Sequence, residues 1–243
     1  MKWLIFSKRT AQEILRDPLN LGFGIGFPVI LLLLLSAIQA NVPVSLFAIE
    51  QLAPGIAVFG LAFLTLFAAS LVAKDRESAF LSRLYTTPLT AADFIVGYLL
   101  PVLLIALLQS LITYGVAILL GLSVSVRLLL ALVLILPIAL FFIAMGLLCG
   151  SVLNVKQAGA ICGALFTNLT AWLSGTWFDL ELVGGVYKKI AYALPFVHAV
   201  ELERAAVNGN FSAIGSHLIW VLAYGVAAVG GAVWLFLRQM KRQ

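Results

Sequence analysis

Long uncharged stretches divide this chain. Apolar residues run without a single Asp, Glu, Lys or Arg over 19–38, 51–73, 94–120, 128–153, 157–178 and 217–237. Each is as long as the ~20 residues that carry an α-helix across a bilayer. A membrane β-strand needs only ~10 residues and alternates in polarity, and these runs are continuously apolar. The pattern therefore predicts an all-α polytopic membrane protein, a single domain over 1–243 with six transmembrane helices. The first 17 residues mix Trp3, Leu4, Ile5, Phe6, Ile14 and Leu15 with Lys2, Lys8, Arg9 and Arg16. That mixture predicts a helix lying in the interface plane. The run at 19–38 is too long for the core of a signal peptide and no A-x-A pattern follows it, so it reads as a retained first helix.

Two connections stand out by length. The one at 74–93 is polar and charged and contains Thr87-Pro88, which predicts a helix stopped before a proline. The one at 179–216 holds amphipathic pieces at 186–194 and 197–207, separated by Pro195. Short helices partly dipping into one leaflet are expected there.

Composition agrees with the pattern. Of 243 residues, 63% are hydrophobic and 10% charged, and the mean hydropathy is +1.12, against about 25% charged in soluble domains. The net charge of +5 is scattered between apolar runs, so no basic patch forms and nucleic acid is excluded as a partner. Placing both termini inside puts 11 of the 15 Lys and Arg residues on the inner side: Lys2, Lys8, Arg9, Arg16, Lys74, Arg76, Arg83, Lys156, Arg238, Lys241 and Arg242. Arg127, Lys188, Lys189 and Arg204 fall outside. The bias sets an N-in, C-in orientation.

The runs lack the intramembrane acids and bases that ion-driven pumps require, which argues against transport driven by an ion gradient. No G-x-x-x-x-G-K-[ST] phosphate loop is present, so energy for active transport must come from a partner. His198 and His217 lie apart without a carboxylate or cysteine cluster at ligand spacing, and Cys149 and Cys162 form no C-x-x-C. No catalytic or metal residue is assigned, and the cysteines read as packing residues.

One segment carries specific information. Residues 74–89 read KDRESAFLSRLYTTPL. Asp75, Arg76, Glu77, Leu81, Leu84, Thr87 and Pro88 follow the pattern E-R-E-x-G-T-L-E-x-L-x-x-[ST]-P, with Ala79, Phe80 and Ser82 departing from it. The segment resembles the first cytoplasmic loop of ABC-2 type transporter permeases. The likeness extends to the interfacial start, Asp17-Pro18, Pro54-Gly55 and Leu194-Pro195. It implies the membrane subunit of an exporter in a bacterial or archaeal cell membrane, without its own ATPase site. A cytoplasmic ABC ATPase subunit would hold ATP and Mg, and a second permease subunit would complete a homodimer or heterodimer. On this resemblance Asp75, Arg76, Glu77, Leu81, Arg83, Leu84, Thr87 and Pro88 couple to the ATPase. Phe80, Leu81 and Leu84 fall at helical spacing for anchorage, and Arg76 and Arg83 on an opposing side for docking.

The same family likeness places the second and fifth helices along the substrate path. The second presents Phe59, Phe63 and Phe67 at i, i+4 and i+8, and the fifth carries Phe166, Asn168 and Trp172. An aromatic wall with one amide suits a hydrophobic or amphipathic substrate, such as a drug, an antimicrobial peptide or a lipid-like molecule. Alternatives are export of a lipid-linked polysaccharide by the same architecture and a non-transport membrane assembly factor. Core packing is the competing explanation for each aromatic. Gly22-x-x-x-Gly26, Gly146-x-x-x-Gly150 and Gly159-x-x-x-Gly163 permit close helix contact, more readily within the chain than between copies.

Overall fold

The computed structural model describes residues 2–43, 47–78, 80 and 90–240. Helices make up most of the described residues, and no strand occurs among them. Helix α1 (Lys2–Leu15) is followed by α2 (Pro18–Ala40), α3 (Ile49–Glu77), α4 (Ala91–Leu119) and α5 (Val126–Val152). Then come α6 (155–173), the short α7 (Leu180–Val183) and α8 (Gly185–Tyr192), α9 (Pro195–Asn208) and α10 (Phe211–Met240). Five of these, α2, α3, α4, α5 and α10, are long and apolar enough to cross a membrane.

The local starts follow from side-chain chemistry. Asp17 caps α2 by accepting from the backbone N–H of Asn20 at 3.2 Å, with Pro18 at the first helical position where no N–H is needed. Thr90 and Asp93 form a reciprocal capping box at the start of α4.

The boundaries differ from the hydropathy pattern in three places. Helix α3 runs on through Glu77, so Asp75, Arg76 and Glu77 form its last turn rather than a separate loop. Helix α10 starts at Phe211, a turn and a half before the apolar run. The fifth run is interrupted: α6 has α-helical ends, but its middle, Gly159–Phe166, is a π-helix, and it stops at Leu173. A second π turn, Gly22–Gly26, interrupts α2, where the N–H of Phe27 bonds to the carbonyl of Gly22 five residues back.

Helix α3 is the axis of the bundle. It is buried along nearly its whole length, whereas α2 and α10 lie at the periphery with most of their surface open. Helix α5 packs along it through glycine. A Cβ on Gly146 would collide with the carbonyl oxygen of Thr65, and one on Gly150 would stand 2.5 Å from that of Ala69. Thr65 Oγ1 donates to the carbonyl of Phe142 at 2.9 Å across the same seam. The Gly146/Gly150 pair is thus intrachain packing. Gly146→Ala is expected to cost about 1–3 kcal/mol by forcing the two backbones apart, while Gly22→Ala, which meets open space, costs little. Thermal unfolding of the purified variants in detergent checks the contrast.

At the end of the bundle opposite α1, α9 folds back into the protein and packs on α3, α5 and α10. Its residues from Pro195 to Val200 are all buried, so the sequence's amphipathic piece is largely interior. It ends on Gly209, whose φ of +77° is the left-handed conformation that stops a helix.

Candidate coupling hub and aromatic track

Four consecutive charged residues close α3, and each engages a different neighbour. Lys74 reaches Asp17, at the foot of α2, at 3.5 Å. Asp75, only 2% exposed, receives both guanidinium nitrogens of Arg9 on α1 at 2.5 and 2.6 Å, and the hydroxyl of Tyr98 on α4 at 2.7 Å. Arg76 donates to the carbonyls of Ser151, Val152 and Leu153, the last carbonyls of α5. Glu77 accepts the N–H of Val155, the first of α6, at 2.9 Å. Cations satisfy orphan carbonyls at helix C-termini and anions satisfy orphan N–H groups at N-termini. One helix end therefore engages the middle of α1, the second turn of α4, the starts of α2 and α6 and the end of α5.

Of the residues expected to couple to an ATPase, Asp75, Arg76 and Glu77 are spent in these internal bonds. Leu81, Arg83, Leu84, Thr87 and Pro88 lie outside the described residues. Phe80 is described, and its ring lies 4.4 Å beneath the guanidinium carbon of Arg9. The stem of the charged segment is thus fastened to α1 by an ion pair and a cation–π contact. Arg9 and Tyr98, which the sequence did not single out, complete the cluster. An Arg on the apolar interface helix facing a charged loop was the available signal.

The six aromatic and amide positions divide three ways. Phe59 and Phe63 stack edge to face at 5.5 Å, and Phe63 meets Phe27 at 5.5 Å, which meets Phe23 at 6.3 Å. In the other direction Phe59 meets Trp177 at 5.3 Å. These five rings form a ladder along α2 and α3. Phe67 lies instead behind it against Gly24, where a Cβ would be 2.8 Å from its ring. Phe166 turns into the core against Phe142 and Phe196, at 5.9 and 5.3 Å. Asn168 and Trp172 sit on an exposed face of α6 with Ile161, Leu165 and Leu169. The Asn168 amide donates within its own helix, to the Ala164 carbonyl at 2.7 Å.

The ladder joins two cavities. Near α1, Pro18, Leu19, Gly22, Phe23, Phe27 and Ile30 line an open apolar groove of ≈ 400 Å³. At the far end Trp177 enters a cavity of ≈ 490 Å³, shared with Phe47, Gln51, Thr176, Asp179, Glu201 and Arg204. There Arg204 pairs with Glu201 at 2.9 Å and donates to the carbonyls of Gln51 and Gly175. The cavity is thus aromatic on the ladder side and charged on the other.

Two groups treated as isolated in the sequence meet in space. His198 and His217 approach through their Nδ1 atoms at 2.9 Å, and His198 stacks on Trp220 at 4.8 Å. Cys149 on α5 and Cys162 on α6 pack in one small cluster with Ala69 and Ala158, both as free thiols.

The bundle also encloses a second acid, far from Asp75 in sequence. Glu203, carried in by α9, is fully buried, and its Oε2 accepts the Tyr114 hydroxyl at 2.6 Å while Oε1 has no partner among the described residues. Burial pushes its carboxyl up to about 8 against the lowering effect of the Tyr114 bond, so it is mostly protonated at neutral pH.

Comparison with curated proteins gives no match. The family model for the ABC-2 type transporter matches residues 1–208, the greater part of this chain, including the hub, the ladder and both cavities. The chain belongs to the ABC-2 type transporter family, whose members are the membrane-spanning subunits of ABC transporters.

Proposed function

We propose that this protein is the permease subunit of an ABC exporter that moves a hydrophobic or amphipathic molecule outward, driven by ATP hydrolysed on a separate cytoplasmic subunit. In this reading α6 is a sixth span, α1 and the α3 end lie on the cytoplasmic side, and residues 74–90 meet the ATPase. The inner positive bias supports that orientation. A second permease copy covers the face of α6 that carries Asn168 and Trp172. An amide at membrane depth facing lipid is unfavourable, and a partner or a shared cavity removes that cost. The complex resides in a bacterial or archaeal cell membrane.

The observation that carries the substrate reading is the ring ladder Phe23–Phe27–Phe63–Phe59–Trp177, which leads from an apolar groove into a mixed aromatic and charged cavity. An amphipathic molecule keeps its apolar body against the rings and presents its polar group to Arg204, Glu201 and Asp179 at the outer end. A long polysaccharide finds no polar lining along the ladder.

The test is reconstitution with the co-expressed ATPase subunit in proteoliposomes, assayed with a bisbenzimide dye and an NBD-labelled phospholipid. ATP-dependent movement of either probe is expected, and Phe63→Ala should reduce it about fivefold or more while leaving co-purification intact. Transport of a lipid-linked oligosaccharide but neither probe would replace the substrate assignment. Absence of any ATP-dependent movement would remove the exporter reading.

A further inference from the structure

The hub and the two π turns are placed in a matching way. Helices α2 and α6 are both held at the foot by the end of α3, through Asp17–Lys74 and through Val155–Glu77. In each, an α-helical stretch of four residues follows, Pro18–Leu21 and Val155–Ala158, and then the π turn begins. Both π turns rest on α3 at one level. Gly24 faces Phe67, and Gly163 faces the adjacent Leu66, where a Cβ would be 3.1 Å away. That level lies roughly 12 Å above Lys74, at 1.5 Å per residue. The widened turn in α6 is stabilised locally: Thr167 Oγ1 donates to the carbonyl of Cys162, five residues back, at 3.1 Å.

An uninterrupted i→i−4 ladder carries a displacement of its foot along the whole helix. A π turn accommodates an extra residue and breaks that rigidity, and such turns are concentrated at functional sites. Here the interruption separates the clamped foot of α6 from the stretch that carries Asn168 and Trp172. Arg76 secures the adjoining end of α5, so the α5–α6 turn is gripped on both sides by neighbouring residues of α3.

We propose that Arg76 and Glu77 are positioning residues that tie the foot of α6 to the end of α3, and that the π turn Gly159–Phe166 is the joint that converts movement of that foot into reorientation of the upper half of α6. The register between π and α turns supplies the motion: converting the π turn into an α turn changes the register by one residue and rotates the helix on one side of it by about 100° relative to the other. The pairing with Gly22–Gly26 on α2 lets the two helices flanking α3 yield at the same level. This inference rests on the exporter reading, and it assigns the clamp and joint within it.

The experiment uses the full permease–ATPase complex in proteoliposomes with the NBD-labelled phospholipid and the bisbenzimide dye, and reads probe moved per ATP hydrolysed. Deleting Ala160 removes the extra residue and restores an unbroken α-helix without turning its flanks. Hydrolysis should stay within about twofold of wild type while probe moved per ATP falls at least about fivefold. Glu77→Leu, which cannot accept the Val155 N–H, should lower the same ratio. Glu77→Gln, which keeps an acceptor oxygen, should restore it. An unchanged ratio in the deletion overturns the joint, and equal ratios in the Leu and Gln variants overturn the clamp. If the deletion fails to assemble, Thr167→Val, which removes the hydroxyl bond to the Cys162 carbonyl, should lower the ratio, and an unchanged ratio there overturns the joint. A wild-type complex that moves a lipid-linked oligosaccharide in place of both probes is read with that substrate, and one that moves none of the three overturns the exporter reading and this inference together.

Discussion

Asp75→Ala is expected to destabilise the protein by about 3 kcal/mol and to abolish ATP-dependent transport. Removing one partner of a buried ion pair costs about 3–5 kcal/mol because the other charge stays behind. The lower end applies here, since about a third of the Arg9 side chain reaches solvent, 36%, and Arg9 keeps Glu13 at 2.9 Å. Tyr98, buried and directed at Asp75, loses a charged acceptor. Asp75→Asn should be milder, because the amide oxygen still accepts from Tyr98. The specific check is a double-mutant cycle. If Arg9 and Asp75 act as a pair, Arg9→Ala combined with Asp75→Ala should be less destabilising than the sum of the two by at least about 1 kcal/mol. Additive losses would show that the two side chains act separately. Lys74→Ala, which removes a partly exposed partner 3.5 Å from Asp17 and leaves the Asp17 cap in place, should cost no more than about 1 kcal/mol.

The extent to which these features could be read from the residues follows from the physics of each. Five of the six apolar runs were legible as long apolar helices because lipid imposes a length and a polarity that no local packing can override. The start of α2 was legible because Asp17-Pro18 satisfies the first turn by itself. The π turn in α6 was not, since Gly159–Phe166 carries no residue that demands it, and packing on α3 decides it. The aromatic stripe was half legible. Four residues advance a helix by about 40° beyond a full turn and eight by about 80°, so Phe63 stays beside Phe59 while Phe67 has rotated onto another face. The charged turn was legible as a break from lipid, but its bonds to neighbouring helices were not. Hydropathy separates charges from lipid, yet it cannot distinguish a charge offered to another protein from one that caps a neighbouring helix, as Arg76 and Glu77 do. Glu203 was hidden for a related reason: its segment is amphipathic enough to pass for a surface helix, and only the fold reveals that α9 is drawn inside.

Glu203→Gln is the substitution for which a gain in stability is expected. In the unfolded chain this carboxyl titrates near 4.5, and in the fold it is raised to about 8. Well below pH 4.5 both states are protonated and the side chain imposes no ionic cost. As pH rises from 4.5 to 8 the unfolded state releases its proton while the buried group retains it, so stability falls with pH and levels off above 8. At about 1.36 kcal/mol per unit, the cost at pH 7 is about 3 kcal/mol. The amide introduced by Glu203→Gln cannot ionise, fills nearly the same space, and its carbonyl oxygen accepts from Tyr114 as the acid does. The variant should therefore unfold at a higher temperature than wild type at pH 8 and at nearly the same temperature at pH 4.5. Equal unfolding temperatures at pH 8 would mean that water or an unseen partner solvates Glu203. An acid that costs this much in an apolar interior is a candidate for a functional role. If that role lies in transport, Glu203→Gln should yield the more stable protein and the poorer exporter, with its activity no longer changing between pH 7 and pH 9.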